Sequence, residues 1–215
     1  MLPKGEHMTR VILVRHGQTE WNRVERFRGR ADVPLNETGL AQAEATGKRV
    51  ASDASSLEGW RPVAVYSSPL SRAVKTAEAI ARHFDFPVQI HQGLADIDYG
   101  QWQGLTPDEA KERWPAALHA WYNEPETAHI PSGETLADLR VRGMAAVNEL
   151  TARHEGQTIV LVGHTVINRV ILLGVLGQGN ERFWHLRQDT CAINVFEVEN
   201  RDFTLVSLND TCHLR

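Results

Sequence analysis

Short apolar runs alternate along this chain with longer segments in which apolar residues recur every three or four positions. The runs Val11–Val14 and Thr158–Val162 have the length and the β-branched composition of strands that are buried on both faces. Val63–Ser67 and Val88–Ile90 have the pattern of two further strands. Strands that alternate with helical segments predict an α/β fold with a mostly parallel sheet.

The helical segments place their apolar residues on one face. We expect one helix to begin at Pro69 and a longer one to open at Ser132-Gly133, since both sites carry residues typical of helix starts. Two alternating segments, Ala192–Val198 and Phe203–Leu208, predict a hairpin at the sheet edge. The expected inner faces of the helices are Leu40, Ala43, Gly47 and Val50; Ala73, Ala77, Ile80 and Phe84; Leu136, Leu139, Val147 and Leu150; and Val166–Leu176.

The charge balance excludes several classes of partner. The formal net charge is −4 and charged residues are 23% of the chain, which argues against general binding to nucleic acid or to an acidic membrane. One loop carries Arg23, Arg26, Arg28 and Arg30, but Glu25 dilutes the charge and no aromatic platform accompanies it. We expect a solvated face from which one or two arginines turn toward an anionic ligand. No apolar run approaches the length of a membrane span.

Length and cysteine content favour one cytoplasmic domain. The 215 residues suit a single domain at 9–215, preceded by a disordered extension at 1–8 that lacks the apolar core of a signal peptide. Cys191 and Cys212 match no metal spacing and suit a reducing compartment, although a single bridge between them stays open.

Polar residues follow three of the predicted strands. Arg15 and His16 come directly after the first, His164 follows Thr158–Val162, and Arg72 falls in the first turn of the helix after another. Because parallel strands open their carboxyl ends at one edge, these side chains are expected to converge there. Each has an ordinary structural explanation alone, such as a helix cap or a surface cation. Together, two histidines and two arginines predict a phosphate site.

Six segments carry a resemblance to a known family. The chain resembles the histidine phosphatase superfamily, branch 1, which includes cofactor-dependent phosphoglycerate mutase and its phosphatase relatives. This implies a single three-layer α/β/α sandwich with a mostly parallel, mixed central sheet. The segments are RHGQTEWN at 15–22, FRGRADVPLNETG at 27–39, SSPLSRAVKTA at 67–77, LADIDYGQWQG at 94–104, PSGET at 131–135 and VGHTVINR at 162–169.

The resemblance assigns the phosphate chemistry to particular residues. His16 would be the nucleophile, transiently phosphorylated on one ring nitrogen, and Arg15, Arg72 and His164 would hold the phosphoryl oxygens. A neutral imidazole attacks only if its other nitrogen keeps its proton, so we expect a backbone carbonyl near Gly17 to fix the tautomer. Cations against these oxygens would stabilise a metaphosphate-like transition state without a metal or cofactor.

An ester oxygen leaves readily only if a carboxylic acid protonates it. Where the family commonly has Glu, this chain has Asp96, which is shorter by one methylene. We expect Asp96 to be the proton donor and later to activate a water, with Asp98 or Glu20 as the alternative.

The substrate-binding prediction extends beyond the phosphate arginines. Asn22 matches an asparagine of the family motif and would donate a hydrogen bond, whereas Gln18 and the Thr165 amide are weaker candidates. Arg28 stands where many relatives have Gln, so a second acidic group of the substrate would meet an additional cation. The predicted substrate-binding residues are Arg15, Gly17, Gln18, Asn22, Arg28, Arg72 and Thr165.

The predicted function is metal-independent hydrolysis of small phosphorylated metabolites. A phosphoglycerate mutase is the first alternative, but mutases of the superfamily carry a more basic insertion than 105–130, where Lys111 and Arg113 are the only lysine and arginine. A non-catalytic phospho-ligand binder is the second, and it would gain support if Asp96 pointed away from the site. Exposed apolar surface near Trp184 or on the last strand predicts a homodimer contact.

Overall fold

The computed structural model describes residues 8–215, whose centre is a six-stranded mixed sheet with the strand order β3-β2-β4-β1-β5-β6. Strands β1 to β4 pair in parallel, and β5 is antiparallel to both β1 and β6. This arrangement confirms the mostly parallel, mixed sheet. The strands are β1 (Thr9–Arg15), β2 (Pro62–Ser67), β3 (Val88–Ile90), β4 (Thr158–Gly163), β5 (Ile193–Glu199) and β6 (Asp202–Asp210).

Helices cover both faces of this sheet, and short 3₁₀ turns lie in the connections. The helices are α1 (Glu20–Arg23), α2 (Glu37–Ser56), α3 (Ser71–Ala81), α4 (Pro107–Arg113), α5 (Pro115–Asn123), α6 (Leu136–Arg153) and α7 (Thr165–Val175). The 3₁₀ turns are Gln92–Leu94, Gly100–Trp102, Asn180–His185 and Cys212–Leu214.

Strand β1 shows why the fold has three layers. Its side chains alternate between the two faces: Ile12 and Val14 pack in the core that includes α2 and α3, whereas Val11 and Leu13 pack in the core that includes α6 and α7. A strand that buries both faces must be apolar at every position, as this one is. The predicted α/β/α sandwich is therefore confirmed.

Two predicted helix starts are wrong. Helix α3 begins at Ser71, two residues after Pro69, because Leu70 is extended. Its first amide is capped by Asp32, whose Oδ1 accepts a hydrogen bond from Ser71 N at 2.8 Å. Helix α6 begins at Leu136 behind the cap residue Thr135, whereas Ser132 adopts a positive φ of 57° that no helix contains.

The predicted inner face of α2 is also wrong at one position. Leu40 is 52% exposed, and Gly39 is buried in its place. A Cβ at Gly39 would lie 2.0 Å from the Gln18 carbonyl oxygen. The loop after β1 therefore packs directly on the first turn of α2, and this contact turns Leu40 toward solvent.

Several remaining predictions concern the ends and the surface of the chain. Strands β5 and β6 form the expected hairpin, and Cys191 and Cys212 are both free thiols. In the part of the chain that the structure describes, no helix is long and apolar enough to cross a membrane. Residues 1–7 of the expected extension lie outside the described residues, so the extension and the single domain at 9–215 stay predictions.

Candidate active site

His16 lies directly beyond β1 and is fully buried. Its backbone N–H donates to the Gly163 carbonyl at 3.0 Å, which joins it to the end of β4. Its Nδ1 lies 2.6 Å from the Gly17 carbonyl oxygen, which can only accept, so Nδ1 carries the proton. Its Nε2 has no hydrogen-bond partner among residues 8–215. The imidazole therefore presents a free lone pair on Nε2, and the expected tautomer is confirmed.

Burial lowers the pKa of His16 well below its ordinary value, and the positive charge of neighbouring groups lowers it further. The neighbours include His164, Arg72 and Arg15. A protonated imidazole would lie unsolvated among these cations. His16 is thus a neutral base at physiological pH, the form that a nucleophile requires.

Gly17 holds this geometry because its position has no room for a side chain. A Cβ at Gly17 would lie 2.4 Å from the Gly39 carbonyl oxygen at the start of α2. The Gly17 amide donates to Thr76 Oγ1 on α3 at 3.1 Å, while its carbonyl accepts from His16. The glycine therefore connects His16 to the start of α2 and to α3.

His164 follows β4 directly as the cap residue of α7, and its ring centroid lies 5.0 Å from that of His16. Its Nδ1 accepts a hydrogen bond from Arg72 Nε at 3.2 Å, so Nε2 carries the proton and donates to Ser68 Oγ at 2.7 Å. Burial lowers the pKa of His164, and the charge of Arg72 lowers it further. Ser68 was missed by the sequence analysis, although a hydroxyl directly beyond a strand at this edge was a usable signal.

Arg72 is fully buried and organises the loop between β1 and α2. Besides its bond to His164, Nη1 donates to the Ala31 carbonyl and Nη2 to the Gly29 carbonyl, each at 2.7 Å. A guanidinium has five N–H donors, so two remain available for an anion after these three bonds.

Arg15 is buried beside the same site. Its Nη1 donates to the Gln188 carbonyl at 2.5 Å, and its Nε has no partner within the described residues. Burial lowers the pKa of Arg15 to about 9, and burial lowers that of Arg72 to about 10. Burial thus removes these two positive charges from water without fully replacing the lost solvation. A bound anion would offset this cost.

Asp96 is the carboxylate within this group of cations. It is 3% exposed, and its Oδ2 lies 3.6 Å from Arg72 Nη2 and 3.8 Å from His164 Nδ1. Its Oδ1 accepts from the Ile97 amide at 3.0 Å. Burial raises the pKa of Asp96, although the charges of Arg72 and Arg28 oppose that rise. Asp96 therefore faces the site, and burial favours its protonated form.

The two alternative acids are engaged elsewhere. Asp98 Oδ1 accepts from the Gly100 amide at 2.8 Å, and its Oδ2 lies 3.6 Å from Arg30. Glu20 forms an exposed ion pair with Arg23. Neither carboxylate is placed with the two histidines.

A guanidinium that the sequence analysis missed fixes the loop of Asp96. Arg142 on α6 donates to three backbone carbonyls of this loop, those of Gly93 at 3.0 Å, Ala95 at 2.9 Å and Asp96 at 3.3 Å. It also pairs with Glu134, which accepts from the Asp98 amide at 2.9 Å. Arg142 therefore fixes the backbone of the loop that carries Asp96.

The weaker substrate-binding candidates lie around this centre. Asn22 Oδ1 accepts from the Thr19 amide in a capping box, so its side-chain N–H₂ is the group left for a ligand. Gln18 Oε1 accepts from Asn36 at 2.9 Å. Both line a cavity of about 510 Å³ together with Arg15. Thr165 is the first residue of α7, and its Oγ1 is buried without a partner in the described chain.

The arginine-rich loop divides as expected. Arg23, Arg26 and Arg30 form ion pairs with acidic residues near the surface. Arg28 turns inward, where its charge acts on Asp96, Arg15 and both histidines. Among residues 8–215, no group of three or more His, Cys, Asp or Glu side chains is arranged to hold a metal ion.

Comparison with known proteins gives the family. Residues 11–211 match the histidine phosphatase superfamily (branch 1). The chain is 34% identical over 207 residues to phosphoserine phosphatase 1 of Hydrogenobacter thermophilus, covering 96% of this chain and 95% of that protein. It is 32% identical to the metal-independent phosphoserine phosphatase of Arabidopsis thaliana, covering 96% and 84% of the two chains.

Solved structures agree with this result. A mutant phosphoserine phosphatase of Entamoeba histolytica in complex with phosphoserine superposes with a TM-score of 0.85 at 26% identity, covering 96% of this chain and 100% of that one. The phosphatase from the same organism in complex with 3-phosphoglyceric acid gives 0.83 at 27% identity, with coverage of 96% and 100%. The chain belongs to the histidine phosphatase superfamily, branch 1. Within it, the chain is a phosphatase of small phosphate monoesters.

Proposed function

We propose that this protein hydrolyses small phosphorylated hydroxy or amino acids through a phosphohistidine on His16, with Asp96 as proton donor. One observation carries the proposal: His16 Nδ1 donates to the Gly17 carbonyl, which leaves its Nε2 lone pair free. The ring lies beside the buried side chains of His164, Arg72 and Asp96. A nucleophile, an anion site and an acid are the three parts that phosphomonoester cleavage needs.

In the first step, the Nε2 lone pair of His16 forms a bond to phosphorus. The bond between phosphorus and the ester oxygen breaks, and that oxygen takes the proton of Asp96. Nδ1 keeps its proton throughout, because it donates to the Gly17 carbonyl. The product alcohol leaves, and His16 carries the phosphoryl group.

In the second step, the Asp96 carboxylate removes a proton from a water molecule whose oxygen attacks phosphorus. The bond to Nε2 breaks, its electron pair returns to His16, and inorganic phosphate leaves. The remaining N–H donors of Arg72 and Arg15 would contact the equatorial oxygens in both steps, where charge builds in the transition state. The backbone amide of Thr165, at the start of α7, would add a further donor.

The substrate class rests on the relatives and on the local charge. The similar proteins include phosphatases named for phosphoserine, and solved neighbours are described with phosphoserine and with 3-phosphoglyceric acid. Arg28 adds a cation that a simple phosphate ester would not use. Phosphoserine is therefore the first substrate that we would test.

The composition of the segment 105–130 favours a phosphatase over a mutase. Lys111 and Arg113 both lie on the exposed side of α4. The buried residues of α4 and α5 are apolar: Ala110, Leu118 and Trp121. This segment therefore supplies only two fixed cations, Lys111 and Arg113, for a second phosphate during isomerisation.

The test is an assay with chelator present. Wild type and His16→Ala would be incubated with phosphoserine, p-nitrophenyl phosphate, and 3-phosphoglycerate with its bisphosphate primer. We expect phosphate release from phosphoserine that resists chelator and falls at least about 10³-fold in the variant. Isomerisation without comparable hydrolysis would indicate a mutase, and tight binding without turnover of any ester would indicate a binding protein.

A further inference from the structure

The guanidinium groups of two arginines near the site have no hydrogen-bond acceptor among residues 8–215. The side chains of Arg28 and Arg169 form no hydrogen bond or ion pair among the described residues, and the Nε atom of each is buried. Other arginines near the site do have acceptors: the side chains of Arg72 and Arg142 each donate to three or more. A buried N–H donor without an acceptor is unfavourable unless a ligand supplies one.

Arg169 lies on the same face of α7 as Thr165, one helical turn further along. Its guanidinium carbon lies 5.0 Å from the ring centroid of Phe183 and 4.9 Å from that of Trp184. The Trp184 indole N–H donates to the Trp121 carbonyl at 2.7 Å, which fixes one of these rings. Stacking holds the guanidinium plane but uses none of its in-plane N–H donors. Arg169 is thus oriented for an acceptor that the described chain does not provide.

Arg28 is held by neighbouring backbone bonds. Phe27 donates to the Leu105 carbonyl at 2.9 Å and accepts from the Gly104 amide at 2.8 Å, so the residue before Arg28 is tied to the end of the Asp96 loop. The Phe27 ring also packs against Tyr99, with centroids 4.9 Å apart.

Tyr99 links the two arginines. It is 8% exposed, and its pKa is raised by burial and by Asp96, while Arg28 and Arg169 oppose that rise. Its phenol therefore keeps its proton. The Tyr99 ring packs on Phe27, the neighbour of Arg28, and its centroid lies 5.8 Å from that of Trp121; the Trp121 ring in turn lies 5.8 Å from Trp184, on which Arg169 stacks. Arg15 also experiences the charge of both. Packed aromatic rings thus connect Arg28, Tyr99 and Arg169 into one group of side chains.

We propose that Arg169 and Arg28, together with the Tyr99 hydroxyl, form a subsite for the carboxylate of the substrate's leaving group. This inference rests on the proposed function. A carboxylate suits the site because a planar guanidinium fork binds it through two parallel hydrogen bonds. The subsite would select phosphorylated acids over phosphorylated amines or simple alcohols.

The test compares two esters that differ by one carboxylate, phosphoserine and O-phosphoethanolamine. We expect the wild-type kcat/KM to favour phosphoserine, and Arg169→Gln to lower the ratio of the two values roughly 10- to 100-fold. Tyr99→Phe, which removes only a hydroxyl, should lower the ratio several-fold. Arg182→Gln is the matched control, because Arg182 is an exposed arginine next to Phe183 and should leave the ratio unchanged.

The other possible results distinguish a failure of the carboxylate subsite from a failure of the proposed phosphatase function. If Arg169→Gln lowers both values in parallel, or changes neither, the carboxylate subsite is refuted while the phosphatase stands. Equal wild-type hydrolysis of both esters also refutes the subsite. If wild type hydrolyses neither, the proposed function is refuted, and calorimetric affinities of the two esters for wild type and Arg169→Gln decide the subsite in the same way.

Discussion

Burial shifts the histidines and the acid of this site in opposite directions. The pKa of His16 and that of His164 are lowered, whereas the pKa of Asp96 is raised. In both cases burial disfavours the charged form. Burial thus favours a neutral imidazole and a protonated carboxyl, which is the combination that the proposed first chemical step requires.

Asp96→Asn tests the assignment of the acid. An amide cannot protonate the leaving oxygen, so we expect kcat to fall by about 10²- to 10⁴-fold. The matched control is Asp98→Asn, since Asp98 caps a turn and its amide replacement can still accept from Gly100. Normal activity of Asp96→Asn together with loss in Asp98→Asn would show that the acid is the other carboxylate.

The pH profile provides a second measure of the same group. Asp96 keeps its proton to a higher pH than free aspartate, so the rate should be largest on the acidic side and decline as pH rises through the pKa of Asp96. His16 stays neutral well below pH 6.5, so the acidic limb should lie below the ordinary histidine value. We expect the alkaline limb to disappear in Asp96→Asn when kcat is measured across this range.

At the scale of elements, the site is made by three junctions that meet at one edge of the sheet. His16 follows β1, Ser68 follows β2 and His164 follows β4. Strand periodicity predicted these junctions, because buried parallel strands have a distinctive apolar composition. The convergence of two histidines with Arg72 was therefore predictable from the sequence.

Other parts of the site were not predictable, for physical reasons that particular residues show. Helix α3 starts later than expected because Leu70 is extended and Ser71 is capped by Asp32 from 39 positions away, while Ser68 bonds to His164 across 96 positions of sequence. Arg142 reaches the Asp96 loop across 46 positions, and no local pattern reveals which surface arginine does so. The burial of Gly39 in place of Leu40 follows from contact with a loop whose path periodicity does not specify.

Arg142→Ala tests whether the brace on the Asp96 loop serves catalysis. Without its three backbone bonds, the acid should lose its fixed position, so we expect kcat to fall about 10-fold or more while KM changes little. The alkaline limb of the pH profile should shift as well. Arg140→Ala is the matched control on the same helix, because Arg140 bonds to the Gln178 carbonyl and not to this loop. An unchanged kcat and pH profile in Arg142→Ala would show that the brace is only structural.

At the scale of the whole molecule, an acidic protein concentrates cations at one place. The chain has a formal net charge of −4, yet Arg15 and Arg72 are buried, and Arg72 lies 3.6 Å from the buried Asp96 carboxylate. Because an anion bound there offsets repulsion that only the folded state contains, ligand binding should stabilise the fold.

Vanadate binding should therefore raise the melting temperature. At a concentration 100 times its Kd, a ligand adds about 2.7 kcal/mol to the free energy of unfolding, which thermal denaturation measures readily. We expect Arg15→Gln to lose most of this shift and Arg182→Gln to keep it. An equal shift in both variants would place the anion elsewhere.

The most direct test of the central claim is to trap the phosphoenzyme. Wild type and Asp96→Asn would be mixed with phosphoserine in the presence of chelator, quenched with base, and analysed by phosphorus NMR and by mass spectrometry of the peptide that contains His16. We predict one phosphoryl group on Nε2 of His16, with none on His164. Phosphoserine hydrolysis by wild type with no phosphohistidine at any time, together with an active His16→Ala, would contradict the account.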